Sequence, residues 1–341
     1  MLAHEHQGFD AALRGELLAL NAPGPDELER AARAGIAIAR AYAAVVRALL
    51  ERTGLAASSA RAIGAHGQTV RHQPEASGGG YTIQLLNGAA LAELSGIDVV
   101  CDLRSRDVAA GGQGAPLVPA FHADRFGARG EARAVLNLGG IANLTLLHAD
   151  GRVGGFDCGP GNVLLDVWAG RQRGMAYDDA GRWAASGTVD AALLQQLLAE
   201  PYLQRTPPKS TGRDLFHAGW LDAQLARAGR SLALADVQAT LAELTARAAA
   251  DALKRHLGDA QRLIVCGGGA FNRHLLDRLA ALLPHARVQT SDEHGLPAQQ
   301  VESVAFAWLA REFMQRRPGN RPEVTGAAGS RLLGCLYPAG G

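Results

Sequence analysis

The sequence predicts a mixed α/β fold, because segments with helical periodicity alternate with short β-type runs along the chain. Residues 26–53 carry an apolar stripe at helical spacing, with Asp26 placed to cap this helix and Gly54 to end it. Residues 133–148 contain two β-type runs joined by a Gly-Gly pair, which is typical of a hairpin. Hairpins among alternating helices and strands favour a mixed sheet over a purely parallel one.

The remaining elements follow the same alternation. A glycine- and proline-rich stretch at residues 109–119 is predicted to be a surface loop and a domain junction. Strands are predicted at 62–65, 81–85, 99–103 and 263–266, with another that ends near Phe156. Helices are predicted at 89–95, from 163 onward, at 189–199, 219–228 and 236–257, from near Asn272, and at 301–315.

The composition excludes several classes of function. The chain has 341 residues, 48% of them hydrophobic, which is enough for one large or two medium domains. Lys and Arg total 34 against 33 for Asp and Glu, so no strong net charge would attract nucleic acid or a membrane surface. No run approaches the ~20 apolar residues of a membrane span, and the first ten residues lack the apolar core of a secretory signal. We therefore expect a cytoplasmic protein with a small-molecule partner.

Cysteine and histidine spacing predicts no metal site. His66 and His72 have no third ligand in register, so hydrogen-bonded or surface roles are favoured for both. The cysteines are widely spaced and form no CxxC pair, which predicts buried thiols and no redox centre; they are Cys101, Cys158, Cys266 and Cys335.

Two glycine-rich motifs predict a site built from main-chain donors. In the hairpin, Gly139 and Gly140 can turn their N–H groups toward a phosphate, and Asn137 and Asn143 add side-chain donors. An ordinary type I′ turn explains this segment equally well. In the second motif, a strand runs into Gly267, Gly268 and Gly269 before a helix begins near Asn272, an arrangement that presents N–H donors to an anion. The chain has neither a Walker A sequence nor GxGxxG, which counts against a P-loop kinase and a Rossmann dehydrogenase.

Asp157 is the candidate general base. It lies in Gly155–Asn162, where an acid at a strand end is followed by a rigid turn and a helix, so its carboxylate can project into a cleft and take a proton. The alternative is that Asp157 caps the helix that begins at Val163, but Asn162 is the better placed cap.

Further polar segments are candidates for substrate recognition. Arg104 and Arg106 precede a glycine loop that contains Gln113, which suits recognition of a carboxylate or phosphate, although for a single segment a solvated turn is the more usual explanation. The same alternatives hold for residues 66–69 and 209–213. Glu302 is either a favourable first-turn acid or an acceptor for a substrate hydroxyl.

Taken together and in order, seven motifs resemble the 1,6-anhydro-N-acetylmuramic acid kinase family over residues 17–338. They are HGQTVRH, DLRSRDVAAGGQGAPLVPAFH, NLGGIAN, GFDCGPGN, PKSTGR, CGGGAFN and VESVAFAWLA. The resemblance implies the sugar kinase, Hsp70 and actin superfamily, with two ribonuclease-H-like lobes around a cleft. We expect residues 1–130 and 316–341 to form lobe I, and residues 131–315 to form lobe II with the nucleotide and catalytic motifs.

The resemblance also implies a bacterial enzyme of peptidoglycan recycling that uses ATP and Mg²⁺, and it leaves a homodimer open. It implies that residues 137–143 contact the phosphates, that residues 267–272 lie near the nucleoside, and that Asp157 is the base. The substrate candidates are Arg104, Arg106, Gln113 and Glu302. In the anhydro sugar O6 is tied to C1 and carries no proton, so water must open the ring while O6 takes the γ-phosphoryl group. The expected product is N-acetylmuramic acid 6-phosphate.

One family motif has no counterpart in this sequence. Members open with a strand and a GTSxDGxD-like turn that holds phosphate, whereas residues 1–8 resemble the stretch that follows it. We therefore expect the first hairpin of lobe I to be missing, through a misplaced start, with weak binding of ATP as the result. The alternatives are a catalytically inactive sugar-binding relative and a nucleotide-dependent oxidoreductase that uses the triple glycine.

Overall fold

The computed structural model describes residues 2–212 and 215–340. The helices are α1 (Ala11–Ala19), α2 (Glu27–Thr53), α3 (Gly88–Ser95), α4 (Ser105–Ala109), α5 (Val118–Phe126), α6 (Val163–Arg173), α7 (Arg182–Ala185), α8 (Ala191–Leu198), α9 (Pro201–Gln204), α10 (Ala218–Ala228), α11 (Leu234–His256), α12 (Arg273–Leu282), α13 (Val301–Met314) and α14 (Pro322–Thr325). The strands are β1 (Ile63–Gly64), β2 (Gln68–Gln73), β3 (Tyr81–Leu85), β4 (Val99–Cys101), β5 (Arg133–Leu138), β6 (Ile141–Leu147), β7 (Val153–Pro160), β8 (Arg262–Cys266), β9 (Arg287–Thr290) and β10 (Cys335–Tyr337).

The chain divides into two compact units. Unit 1 is Met1–Phe121 with Ser303–Gly341, and unit 2 is His122–Glu302. The lobe junctions predicted from the sequence, at 130/131 and 315/316, stay a prediction. No helix in the described ranges combines the length and the apolarity that a bilayer crossing demands.

Unit 1 contains a small mixed sheet and a separate hairpin. Strand β4 pairs in parallel with β1 and antiparallel with β10, while β2 and β3 form the hairpin. The predicted helix at residues 26–53 is confirmed as α2, and Gly54 ends it in the left-handed conformation with φ 66°. The prediction that Asp26 caps α2 is wrong, because Asp26 is itself left-handed and its carboxylate accepts no capping hydrogen bond. Strand β2 and helix α1 were not predicted.

A buried carboxylate organises the polar interior of unit 1. The Asp107 side chain is fully buried. Its Oδ1 accepts hydrogen bonds from Asn320 Nδ2 at 2.7 Å and Thr325 Oγ1 at 2.8 Å, and its Oδ2 accepts one from the Gly114 N–H at 2.8 Å. This carboxylate therefore ties the glycine loop after α4 to the C-terminal segment of the chain.

Replacing Asp107 by Ala should destabilise unit 1 strongly. Three donors would lose their acceptor, and each buried donor left without a partner costs about 1–3 kcal/mol. We expect urea unfolding to show a loss of at least about 3 kcal/mol on that basis. Glu93→Ala, at an exposed position on α3, serves as the control and should leave the midpoint nearly unchanged. Equal midpoints for the two variants would contradict the organising role of Asp107.

Unit 2 is built on a five-stranded sheet with the order β7-β6-β5-β8-β9. Strands β5, β6 and β7 form an antiparallel meander, and β8 and β9 continue the sheet parallel to β5. Only β6 therefore runs against the other four strands. This is the ribonuclease-H-like strand order that the resemblance implies for a lobe, and it confirms the predicted mixed sheet.

One face of this sheet carries the main core. Ala134, Leu136 and Leu138 alternate along β5 into a cluster with Leu241 and Leu244 of α11. The small-residue side of α11 packs on β6 and β7. Because successive side chains of a strand point to opposite faces, Asn137 lies on the other face of the sheet.

Candidate active site

Three predicted polar residues are neighbours across the sheet of unit 2. Asn143 on β6 pairs with Asn137 on β5 and with Asp157 on β7. Directly paired residues point to the same face, and adjacent strands lie about 4.8 Å apart. The three side chains therefore form one row, which we call the polar row. Cys266, at the end of β8, pairs with Asn137 and extends the row.

Asp157 lies inside a strand, contrary to the sequence prediction. Strand β7 runs through Asp157 to Pro160, whereas the prediction ended it near Phe156. The residues around Asp157 are rich in glycine and have little intrinsic strand preference, so it is the pairing with β6 that makes this segment a strand. Asp157 does not cap α6, and its carboxylate is part of a row that local sequence does not reveal.

The Asp157 carboxyl group is suited to accept a proton near neutral pH. Burial raises the pKa of Asp157 to about 6, and this rise is partly opposed by the Thr211 N–H and the Lys209 ammonium. Thr211 N–H donates to Oδ2 at 3.0 Å. A carboxylate with such a pKa is a stronger base than an ordinary aspartate and is still ionised at pH 7.

The glycine hairpin is held from one side by the segment after β7. The N–H of Gly161 donates to Gly140 O at 2.9 Å, and the N–H of Asn162 donates to Gly139 O at 2.8 Å. Asn162 precedes α6 as predicted, but its side chain does not cap that helix. Its Nδ2 donates instead to the carbonyls of Leu138 and Gly139.

This hairpin is not a type I′ turn. Neither Gly139 nor Gly140 has a positive φ, whereas a type I′ turn needs one at both central residues. Their carbonyls accept from the segment after β7, and within the described part of the chain no backbone carbonyl accepts from their N–H groups. That these N–H groups bind an anion stays a prediction.

The triple glycine lies against the hairpin strand. Gly267 has φ 80°, and a Cβ on it would lie 2.3 Å from Asn137 Oδ1. A Cβ on Gly269 would lie 2.5 Å from Leu138 Cβ. Only glycine fits at these two positions, so both glycine-rich motifs meet beside Asn137. A short 3-10 turn, Gly268–Phe271, precedes α12. Asn272 caps that helix, its Oδ1 accepting from the Leu275 N–H at 3.1 Å.

Glu302 lies at the Cys266 end of the polar row. It is an exposed residue in the first turn of α13, as predicted. Burial, together with the nearby Glu302 carboxylate, raises the pKa of the Cys266 thiol to about 12. Asp157 and Glu302 thus place acidic groups toward opposite ends of the row.

The other substrate candidates belong to unit 1. Arg104 donates from Nε to His66 Nε2 at 2.9 Å and from Nη1 to Gly114 O at 2.7 Å. Burial, and then the Arg104 charge, lower the pKa of His66 to about 4. The neutral ring therefore accepts at Nε2 and donates from Nδ1 to Gly67 O. Gln113 Nε2 donates to Glu75 at 3.1 Å. Arg106 is exposed.

Other parts of the chain bear on the sequence predictions as well. In the ranges that the structure covers, no group of three or more His, Cys, Asp and Glu side chains forms a metal site. Arg213, in the last predicted polar segment, lies outside the described residues.

Two contacts were missed by the sequence predictions. The Tyr202 hydroxyl donates to Asp157 O at 2.8 Å across 45 residues of sequence, and no local motif signals such a contact. The thiols of Cys101 and Cys335 lie 3.9 Å apart, which their spacing did not indicate.

Comparison with known proteins identifies the family. The chain is 58% identical to an anhydro-N-acetylmuramic acid kinase from Cupriavidus pinatubonensis over 99% of this chain and 91% of that one. It is 60% identical to one from Bordetella petrii over 96% and 86% of the two chains. A solved ROK family glucokinase from Streptomyces griseus, in complex with glucose and AMPPNP, is 20% identical over 81% of this chain and 88% of that chain, with a TM-score of 0.38. The family model for anhydro-N-acetylmuramic acid kinase matches residues 1–339, and the chain belongs to that family.

Proposed function

We propose that the chain uses ATP to phosphorylate 1,6-anhydro-N-acetylmuramic acid and opens its 1,6-anhydro ring with water, giving N-acetylmuramic acid 6-phosphate. Membership of the family supports the kinase reaction and the sugar substrate. The observation that carries the mechanism is the polar row, which places Asp157 beside two asparagines at the base of the glycine hairpin. Such a step would serve the recycling of peptidoglycan.

The proposed step balances as one displacement coupled to one transfer. Water oxygen attacks C1 while Asp157 takes one proton from that water. The C1–O6 bond breaks, and its electron pair stays on O6. O6 then bonds to the γ-phosphorus of ATP as the bond to the bridging oxygen breaks and ADP leaves. The raised pKa of Asp157 supports its role, because a general base works best with a pKa near the operating pH.

The middle of the row and the glycine hairpin beside it are suited to the nucleotide. The N–H groups of Gly139 and Gly140 and the amides of Asn137 and Asn143 would contact the phosphates, and residues 267–272 would lie near the nucleoside. Phosphoryl transfer depends mainly on positioning and on stabilising phosphate charge, which neutral donors in a fixed hairpin provide.

Mg²⁺ would not need a site made only of protein ligands, so the donors of the polar row fit such an ion. Such ions are usually held by phosphate oxygens, water and one or two carboxylates, and they neutralise phosphate charge. Glu302 lies at the Cys266 end of the row and is the candidate acceptor for a sugar hydroxyl. The same carboxylate would accept a hydrogen bond from a water bound to Mg²⁺. Arg104, Arg106 and Gln113 are proposed to contact the sugar.

Isotope labelling tests the proposed reaction. The chain is incubated with ATP, the anhydro sugar and water enriched in ¹⁸O, and the product is analysed by mass spectrometry and phosphorus NMR. We expect a 6-phosphate with one ¹⁸O at C1 and none in the phosphate, and no ring opening when ATP is omitted. Label in the phosphate would contradict the mechanism. Sugar binding without transfer would favour the alternative of a catalytically inactive relative.

A further inference from the structure

The segment of residues 202–211 surrounds Asp157 with hydrogen bonds. The Tyr202 hydroxyl donates to Asp157 O at 2.8 Å, and the Asp157 N–H donates to Lys209 O at 3.3 Å. The Thr211 N–H donates to Oδ2 of the carboxylate at 3.0 Å. Tyr202, Lys209 and Thr211 therefore fix the backbone of Asp157 and one of its two carboxylate oxygens. We call these three residues the Asp157 clamp.

The Lys209 ammonium connects the residues of the clamp to one another. It donates to Tyr202 O at 3.2 Å and to Leu203 O at 3.4 Å, both in α9. It also lies over two aromatic rings, 4.8 Å from the centroid of Tyr202 and 5.6 Å from that of Phe156. Since Phe156 precedes Asp157 on β7, one cation joins the strand that carries the acid to the segment that bonds it. Cation–π contacts of this kind contribute to its placement.

We propose that Lys209 is a positioning residue for Asp157, and that it leaves Oδ1 as the oxygen that accepts the proton. Thr211 occupies Oδ2, and nothing among the described residues donates to Oδ1. The role of Oδ1 in proton transfer rests on the proposed function. The other role of Lys209, which is to position the carboxylate and to favour its ionised form, does not rest on the proposed function. It follows from contacts within unit 2.

Other charged and titratable groups surround the clamp. Cys158 follows Asp157 on β7, Arg205 follows α9, and Arg255 and His256 lie at the end of α11. Burial raises the pKa of the Cys158 thiol to about 12 and lowers that of His256, so both are neutral at pH 7. Among these cations, Lys209 is the one whose charge acts on Asp157.

Direct titration of Asp157 tests the role of Lys209 without relying on catalysis. The chain is labelled with ¹³C at the aspartate carboxyl carbons, and the Asp157 resonance is identified by its loss in Asp157→Asn. In Lys209→Met we expect the pKa of Asp157 to rise by about 1 unit, since a nearby opposite charge lowers a carboxyl pKa by ~1–3 units. Lys209→Arg should restore most of the original value.

Arg205→Met is the matched control. The Arg205 guanidinium also lies over the Tyr202 ring, 5.9 Å from its centroid, but Arg205 is exposed. This variant should leave the Asp157 titration within about 0.3 unit, because a solvated charge is largely screened. If Lys209→Met does not fold, Lys209→Gln keeps a donor for the carbonyls while removing the charge, and the same rise is expected. An unchanged titration in a folded Lys209→Met or Lys209→Gln chain would overturn the proposal.

The pH profile of activity separates this proposal from the proposed function. The acidic limb of kcat/KM should move to higher pH by the same amount as the NMR titration. At pH 7 the ionised fraction of Asp157 then falls from about 0.9 to about 0.5, so kcat should be lower by about twofold, with KM for the sugar within about twofold. A shifted titration with an unmoved acidic limb would support the clamp and reject Asp157 as the base. A loss of activity at all pH values without any shift would indicate a merely structural Lys209 and would reject the clamp.

Discussion

Asp157→Asn is expected to lower kcat by about 10²–10⁴, the contribution typical of a general base. The substitution keeps the size of the side chain, and its amide oxygen can still accept the hydrogen bond from Thr211 that holds Oδ2. Binding of the anhydro sugar, measured by calorimetry, should therefore change little. Phosphate transfer within about threefold of the parent chain would rule out the proposed base.

The same substitution should stabilise the protein at neutral pH. Because burial raises the pKa of Asp157 to about 6, the folded state binds a proton that the unfolded chain has already lost between pH 4 and pH 6. Stability from this group thus falls as the pH rises through that window, and the cost is fully present above it. We expect Asp157→Asn to be more stable than the parent above pH 6 by on the order of 3 kcal/mol, since each pKa unit corresponds to about 1.4 kcal/mol.

Urea melts across the pH range check this expectation. The difference in free energy of unfolding between the parent chain and Asp157→Asn should shrink as the pH falls. It should be small near pH 4, where the side chain at position 157 is neutral in both folded chains. A constant difference from pH 4 to pH 8 would contradict the raised pKa. Gained stability together with lost activity would indicate that the energetic cost of a buried carboxylate is retained for catalysis.

Gly161→Ala is expected to weaken ATP binding by tenfold or more. A Cβ at residue 161 would lie 2.3 Å from the carbonyl oxygen of Gly139, a backbone atom that cannot move aside alone. The hairpin would shift and the hydrogen bond from the Gly161 N–H to Gly140 O would be lost. Overpacking of this kind also costs about 1–3 kcal/mol of stability. Calorimetry with a non-hydrolysable ATP analogue measures the first effect, and urea unfolding the second.

Gly170→Ala is the matched control for this variant. Gly170 lies within α6, the helix that follows Gly161, and a Cβ there would lie 3.6 Å from its nearest neighbour, an ordinary contact. Alanine in a helix interior should stabilise slightly and leave ATP binding unchanged. If both variants bind the ATP analogue equally well, the hairpin is not the phosphate site.

Local sequence predicted the elements whose signals lie within one segment. The bounds of α2 follow from an apolar stripe and from Gly54, and the hairpin of β5 and β6 follows from two β-type runs around a glycine pair. The position of Glu302 in the first turn of α13 was predicted for the same reason. Helical and strand periods are short-range properties, so they can be recognised without knowledge of the fold.

Capping residues were predicted less well. Asp26 and Asn162 are both residue types that favour the start of a helix, yet neither side chain caps one. Asn162 instead donates to the carbonyls of the glycine hairpin, more than 20 residues earlier in the chain. The hydrogen-bond partner of a polar side chain depends on which groups the tertiary structure brings near it. Helix-capping propensity describes only the local sequence and does not include those groups.

The sequence by itself predicted α2, the hairpin of β5 and β6, the mixed sheet and, through the order of its motifs, the family. Only the tertiary structure decided how Asp157 is placed: inside β7, beside Asn143, and bonded by Tyr202 and Thr211. The Asp107 cluster likewise joins residues more than 200 positions apart. The physical reason is that strand pairing, burial and a shifted pKa depend on groups distant in sequence, and these meet only when the whole unit has folded.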